Sequence, residues 1–447
     1  MLTKAESGAA WFQQSAPSAK SVDDAEFKTV TMVGLGYIGL PTAAVIASRG
    51  IKVVGVDVKR EVVEKISSGQ IHIYEPDLDG LVQKVVSSGT LTAQIQPSAS
   101  DVFVIAVPTP IGEQNEPILD YVLDAARSIG PVLQPGNLIV LESTSPVGTT
   151  EKISNLLAEL RPDLRFPTRD KEAPNVNVAY CPERVLPGRI LSELVNNDRC
   201  IGGVTPACAK RAQRFYKRFV RGACIITTAR TAELVKLTEN AFRDVNIAFA
   251  NELSVICDKL NISVWDVIDL SNRHPRVNIL RPGPGVGGHC IAVDPWFIVH
   301  SAPEIARIIR TARETNDDKA RYVIDAASAL IDDHPYAQVA CFGLSFKANV
   351  DDLRESPALE VAQELARRFG SRIKIVEPYI QMLPECFSGT GAEFFTLEQA
   401  LATCEVGIVL VDHDEFRSVS LGDRRHMAVL DTRGIWRDLS SLTQGTM

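Results

Sequence analysis

Three glycines in the run Gly34-Leu35-Gly36-Tyr37-Ile38-Gly39 stand between a β-branched, alternating stretch, Thr29–Val33, and an apolar stretch at 41–48. This spacing reads G-x-G-x-x-G, and each glycine has a physical task. The first permits a tight turn, the second lets a pyrophosphate approach the backbone, and the third lets helix and strand pack closely, with the helix N-terminus facing the phosphate charge. A second strand, Lys52–Val56, ends at Asp57, 18 residues past Gly39. A carboxylate there binds a ribose 2′-hydroxyl and repels a 2′-phosphate, which favours NAD over NADP. Lys59 and Arg60 work against that preference. Gly34, Gly36, Tyr37, Ile38, Gly39 and Asp57 are the first candidate cofactor contacts; the bland alternative is a tight turn followed by a surface aspartate.

Further strands are legible at 102–107, 138–142 and 176–180, alternating with helical stretches, which argues for a parallel sheet. Ligands of such sheets sit beyond the carboxyl ends of the strands. Thr109, Thr144 and Thr150 follow two of those ends and are candidate cofactor contacts, with turn or cap roles as the alternative. From Thr231 to Leu260 runs a helical pattern without Pro or Gly. It would be about 45 Å long and suits a domain bridge or a dimer seam. A second strand–helix series begins near Gln338, with strands at 338–342, 372–376, 406–411 and 428–430 and helices at 357–369 and 397–403. The expected fold is therefore α/β, with two Rossmann-like domains joined by a helical middle domain that carries a long central helix. The expected divisions are a flexible tail at 1–27, an NAD-binding domain at 28–228, a helical central domain at 229–334 and a second Rossmann-like domain at 335–447.

Composition narrows the partners. The 447 residues carry 47 Lys plus Arg against 55 Asp plus Glu, a net charge of −8, so no broad attraction for nucleic acid or anionic membrane is expected. The longest apolar runs fall far short of the ~20 residues of a membrane span. The first 27 residues lack the apolar core of a signal peptide. Nine scattered cysteines, without a C-x-x-C pair, read as reduced thiols of a cytoplasmic protein.

Two further constellations carry chemistry. Lys236, Asn240 and Arg243 share one helical face, either a solvated stripe or the lining of an anionic substrate site. Beyond them, four glycines in Gly283-Pro284-Gly285-Val286-Gly287-Gly288 lead to His289-Cys290, with Asp294 four residues on. A thiol in such a loop can be a nucleophile if its thiolate is stabilised, and Asp294 could orient a water; a buried structural cysteine is the alternative. His289 is as free to point away from Cys290 as to serve it. Cys290, His289 and Asp294 lack metal-ligand spacing, so no metal is expected.

Taken together, the chain resembles the UDP-sugar 6-dehydrogenase family. The motifs are Gly34-Leu35-Gly36-Tyr37-Ile38-Gly39-Leu40-Pro41, Ser143-Thr144-Ser145-Pro146, Tyr180-Cys181-Pro182-Glu183-Arg184, the run from Glu233 to Asn240, Gly287-Gly288-His289-Cys290 and Phe346-Lys347, in family order. The run from Asn272 to Leu280 and that from Cys290 to Phe297 are similar to the branch acting on UDP-N-acetyl-D-mannosamine. Pro187 stands where the glucose enzymes carry a glutamate, so that glutamate's role does not transfer. The resemblance implies a homodimer with shared sites, a UDP-binding C-terminal domain, and a four-electron oxidation of a sugar C6 alcohol to carboxylate with two NAD. It implies catalytic roles for Cys290, Lys236, Asn240, Asp294 and Glu183. It implies substrate contacts at Arg184, Val185, Lys236, Asn240, Arg243, His274, Arg276, Gly287, Phe346 and Lys347, with His274 and Arg276 reaching across the dimer. Arg354 is implied to lie near the cofactor. Rival readings are the same chemistry on UDP-N-acetylglucosamine or UDP-glucose, a two-electron NAD-dependent hydroxy-acid dehydrogenase, which needs no Cys290, and a nucleotide-sugar-binding module without catalysis.

Overall fold

The computed structural model describes residues 26–73, 75–167, 174–186, 188–288 and 290–437. The expected tail, except its last two residues, lies outside them, as do Pro187 and His289.

In chain order the first part comprises β1 (Thr29–Val33), α1 (Gly39–Ser48), β2 (Lys52–Val56), α2 (Arg60–Ser67), α3 (Leu78–Ser87), β3 (Leu91–Gln94), β4 (Val102–Ile105), α4 (Asp120–Ile129), β5 (Leu138–Leu141), α5 (Thr149–Leu160), β6 (Asn177–Tyr180), α6 (Ile190–Asn196), β7 (Arg199–Gly203), α7 (Pro206–Tyr216) and β8 (Cys224–Thr228). The long helix α8 (Ala229–Leu260) follows, then α9 (Val264–Ser271), α10 (Asp294–Ser301) and α11 (Arg307–Asp332). The chain continues with β9 (Val339–Phe342), α12 (Pro357–Phe369), β10 (Ile373–Val376), β11 (Glu393–Phe394), α13 (Leu397–Thr403), β12 (Val406–Val409), α14 (Asp414–Arg417) and β13 (Ala428–Asp431). Two compact units result, Met1–Leu237 and Thr238–Met447, divided within α8.

In the first unit eight strands run in the order β3-β2-β1-β4-β5-β6-β7-β8, all pairs parallel except β6 with β7. β4 and β5 are buried at every residue, as helices on both faces require, and so read as continuous apolar runs. The strand order reverses between β1 and β4, which opens a crevice at their carboxyl ends. The glycine turn follows β1 at that point. Gly34 has φ +94°, and a Cβ there would lie 2.5 Å from the Ala106 carbonyl oxygen, so only glycine fits.

The second unit repeats the plan with five parallel strands, ordered β11-β10-β9-β12-β13 and reversing between β9 and β12. The C-terminal half of α11 packs into this unit. Ala320, Val323, Ile324, Ala327 and Ile331 of α11 share one core with Val339 and Cys341 of β9 and with Val361 and Leu365 of α12.

Candidate active site

In the first unit the glycine turn is shaped for a dinucleotide. Space beside Gly36 is open, whereas a Cβ on Gly39 would lie 1.8 Å from the Gly34 carbonyl oxygen. Gly36 therefore leaves room for a phosphate and Gly39 lets α1 close on the turn. Tyr37 and Ile38 are half-buried, Ile38 as the N-cap of α1. Asp57, just past β2, accepts the Leu35 N–H at 3.1 Å and the Lys59 N–H at 2.9 Å. One carboxylate thus ties the turn to the strand end where a ribose would lie. The loops after β4 and β5 are joined by the Thr109 hydroxyl, which donates to the Thr144 carbonyl at 2.5 Å.

Thr150 departs from expectation. It is fully buried, and its hydroxyl donates to Glu233 at 2.6 Å. Glu233 also accepts the backbone N–H groups of Thr150 at 2.8 Å and Gly148 at 2.6 Å, so a carboxylate of α8 caps α5 from inside. The Thr150 hydroxyl is turned into the protein rather than toward a ligand. Burial raises the Glu233 carboxyl above its ordinary value, against the pull of the Thr150 hydroxyl and the two N–H groups.

Glu183, buried after β6, accepts the Arg184 N–H at 2.8 Å and forms a buried ion pair with Arg199 of β7. The Arg184 guanidinium donates to the Asp198 carbonyl, and Val185 packs against the unit's core. Below them Glu142 and Tyr216 are hydrogen-bonded. Lys236 is buried on α8.

In the second unit, Cys290 and Cys386 are the exposed cysteines of the nine. Cys181, by contrast, is wholly buried, and burial pushes its thiol far up, which disfavours a thiolate there. The Cys290 carbonyl accepts the Asp294 N–H at 2.9 Å, so Asp294 opens α10 directly behind the thiol loop. Asn240 of α8 donates its amide to Asp294 at 2.5 Å. Asp294 is therefore tied to α8 through Asn240 and to the thiol loop through the Cys290 carbonyl.

A buried polar network that the sequence reading did not single out holds this loop. Arg313 of α11, 1% exposed, pairs with Asp244 of α8 at 2.5 Å and donates to the Ile291 carbonyl at 3.4 Å. Asn316 donates to Asp244 at 2.8 Å, and Asn251 accepts the Gly283 N–H at 2.9 Å. Burial pushes the Asp244 carboxyl up to about 6, against the pull of Arg313. Charged residues in packed helices were the available signal.

The thiol loop rests on the loop after β9. A Cβ on Gly287 would lie 2.3 Å from the Glu355 carbonyl oxygen and 3.0 Å from the Phe346 Cβ. Gly288, with φ +86°, lies against the Phe346 ring. On its other side Phe346 lines a pocket with Gly285, Lys347, Pro357, Asp412 and Arg433. This pocket sits at the carboxyl ends of β9 and β12, the reversal point of the sheet, and beside the first turn of α12. Lys347 and a helix N-terminus there suit a diphosphate, while Arg433 is paired with Asp412 of the same pocket at 2.8 Å. Arg354 makes a two-pronged pair with Asp352 in the same loop, at 2.8 and 2.6 Å. Arg243, His274 and Arg276 are exposed.

Three family models match in sequence. They are the NAD binding, central and UDP binding domains of the UDP-glucose/GDP-mannose dehydrogenase family, over residues 28–220, 230–318 and 340–438. The chain belongs to the UDP-glucose/GDP-mannose dehydrogenase family. It is an NAD-dependent dehydrogenase, and the two strand-order reversals fall within the two nucleotide-binding domains of the family. A relative from Ralstonia nicotianae named NDP-N-acetyl-D-galactosaminuronic acid dehydrogenase is 56% identical over 92% of this chain and 97% of its own. The UDP-N-acetyl-D-mannosamine dehydrogenase of Escherichia coli is 54% identical over 92% of this chain and 100% of its own. The solved structure of UDP-D-ManNAc dehydrogenase from Pyrococcus horikoshii aligns with a TM-score of 0.82 at 38% identity, covering 92% of this chain and 96% of that one. Among the described residues of this family member, no helix is long and apolar enough to cross a membrane.

Proposed function

We propose that this chain oxidises the C6 alcohol of UDP-N-acetyl-D-mannosamine to the carboxylate, using two NAD per product. The observation that carries the reading is the exposed Cys290 beside Asp294 and Asn240, on a loop seated against the loop that lines the diphosphate pocket. NAD, held by the turn at Gly34, Gly36 and Gly39 and by Asp57, supplies the hydride acceptor for both oxidations.

The remaining chemistry belongs to the chain. Lys236 and Asn240 stabilise the charge that builds on the C6 oxygen. The Cys290 thiolate adds to the aldehyde carbon, forming a C–S bond while the carbonyl oxygen takes a proton; the aldehyde is thereby retained. Oxidation of this thiohemiacetal leaves a thioester. A water oriented by Asp294 attacks it, Asp294 takes the proton, the C–S bond breaks, and carboxylate and thiolate are freed. Glu183, tied to Arg199 and to the Arg184 N–H, positions the turn bearing the substrate contacts Arg184 and Val185. Phe346, Lys347 and Gly287 hold the nucleotide end, and Arg243 adds a cation at the substrate. Thr109 and Thr144 serve as cofactor contacts in this reading, and Arg354 is kept as a cofactor contact on the family resemblance.

The active species in this reading is a homodimer. Phe242, Phe249 and Ile256 of α8 stand seven residues apart on one face and are exposed, a stripe suited to a second copy. Exposed His274 and Arg276 complete the partner's site. The protein works in the cytoplasm, with UDP-sugar and NAD as its small-molecule partners, and its product is a uronate donor for cell-envelope polysaccharide. In this reading 28–228 binds NAD, 229–334 forms the dimer and carries the thiol loop, and 335–447 binds the UDP-sugar.

A second reading, the same chemistry on UDP-N-acetyl-D-galactosamine, is favoured by the name of the Ralstonia relative. NADH is counted per product with UDP-N-acetyl-mannosamine, -galactosamine and -glucosamine and with UDP-glucose. Two NADH per UDP-N-acetyl-D-mannosamine is expected, and faster turnover of the galactosamine compound selects the second reading. One NADH per substrate, or turnover by folded Cys290→Ala at the wild-type rate, sinks the covalent mechanism.

A further inference from the structure

The two nucleotide sites share one tie between glycine turn and strand end, and in the second it is sealed. Asp57 after β2 accepts the Leu35 N–H; Glu377 after β10 accepts the N–H groups of Leu344 at 2.7 Å and Ser345 at 3.1 Å. Asp57 is half-buried, whereas Glu377 is buried and 3.1 Å from Nε2 of His413, itself wholly buried after β12. The other ring nitrogen of His413 accepts the Asn349 backbone N–H at 2.9 Å. Because Nδ1 accepts, the ring proton sits on Nε2 and is donated to Glu377. His413 therefore joins the start of the loop after β9, through Glu377, to its tip at Asn349. Tyr379 stacks on the imidazole at 4.9 Å and Phe416 meets it edge-on at 5.2 Å, so the ring has one orientation.

Asn349 needs this support. It has φ +62°, unusual for a residue other than glycine. Its side chain is held as well, donating to Asp414 at 2.9 Å and accepting the Tyr379 hydroxyl at 3.2 Å. Between the two pinned points lie Phe346 and Lys347, which line the pocket.

We propose that His413 is a positioning residue for the nucleotide end of the substrate, bridging Glu377 and the Asn349 N–H so that the intervening loop presents Phe346 and Lys347 to the diphosphate. This rests on the reading of that pocket as the UDP site. His413 touches neither substrate nor cofactor in this role; it sets the loop that does.

The test measures UDP binding by calorimetry and steady-state kinetics on the full-length enzyme. His413→Leu keeps much of the volume and removes the hydrogen bonds to Glu377 and Asn349 and the 3.4 Å contact with the Ser345 hydroxyl. It should raise the UDP Kd and the KM for the UDP-sugar about tenfold, while kcat at saturation and the KM for NAD stay within about twofold. His413→Asn, whose side-chain oxygen can accept the Asn349 N–H, should recover most of the UDP affinity. A purely packing role predicts the opposite order, with Leu tolerated better than Asn. Wild-type UDP affinity in folded His413→Leu, or no recovery in His413→Asn, overturns the proposal. Should His413→Leu fail to fold, His413→Gln, which keeps a donor and an acceptor, is compared with His413→Met, which keeps neither: UDP affinity about threefold weaker or more in Met than in Gln is expected, and equal affinity in the two overturns the proposal. Failure of the wild-type enzyme to bind UDP overturns the pocket reading itself, and is distinguishable because it precedes any substitution.

Discussion

Tyr216 donates its phenolic proton to Glu142 at 2.6 Å inside the first unit, and both side chains are fully buried. Burial pushes the Glu142 carboxyl up to about 7, although Arg199 pulls it down. The folded state therefore binds a proton that the unfolded chain releases near its ordinary value of 4.5. Stability from this group is complete below that value and is lost as pH rises toward and through about 7. Glu142→Gln, neutral at every pH, should match wild type in Tm at pH 5 and exceed it at pH 8, by a few degrees for a change on the order of 1–3 kcal/mol. Thermal melts of both proteins between pH 5 and 8 check this; parallel curves would refute it.

Under the proposed function Asp57 has two tasks in one carboxylate, the Leu35 tie and the ribose. Asp57→Ala should weaken NAD about tenfold and narrow the discrimination against NADP. Fluorescence titration with both cofactors reads the result. Unchanged NAD affinity would reduce Asp57 to a tie within the turn.

The α8 stripe predicts an assembly that one charge can undo. Phe249 is 56% exposed and central between Phe242 and Ile256. Phe249→Glu should leave the fold intact and convert the protein to monomers in sedimentation, with loss of turnover. A stable, active dimer of this variant would place the interface elsewhere.

Two glycine substitutions should part company. Gly287→Ala forces a methyl within 2.3 Å of the Glu355 carbonyl oxygen, so the thiol loop must lift from its seat. A destabilisation of about 1–3 kcal/mol and a fall in kcat should follow. Gly36→Ala meets nothing within 4 Å, so its Tm should match wild type while NAD binding weakens, because the methyl stands where phosphate approaches. Equal Tm values for the two variants would contradict the packing at Gly287.

The elements flanking the glycine turn were legible because local pattern and tertiary role agree there: β1 and β2 have the expected bounds, and α12 and α13 likewise. β7 and β8 were not. β8 reads Cys-Ile-Ile-Thr-Thr, with exposed isoleucines and no alternation to betray it, and β7 joins the sheet through an antiparallel pairing that no local signal announces. Contiguous motifs could be read locally, as at Cys290 and Asp294, which the backbone joins through a single turn. The pairs Arg313–Asp244 and Glu377–His413 join residues far apart in the chain, and only the fold makes them neighbours. Thr150 shows the converse: a hydroxyl at the right strand end, turned inward by Glu233, a partner 83 residues away.

The seat of Phe346 on Gly287 and Gly288 makes a gauge. Under the proposed function, one end is the pocket lined by Phe346 and Lys347 and the other is the loop that leads from Gly287 to Cys290. Such a device measures reach: a sugar whose C6 falls short of Cys290 when its phosphates are docked is refused, whatever its affinity. It is indifferent to the handedness of carbons along the way. Discrimination among N-acetylhexosamines must then be read by side chains along the flank of the sugar, while the gauge itself can serve the whole class unchanged.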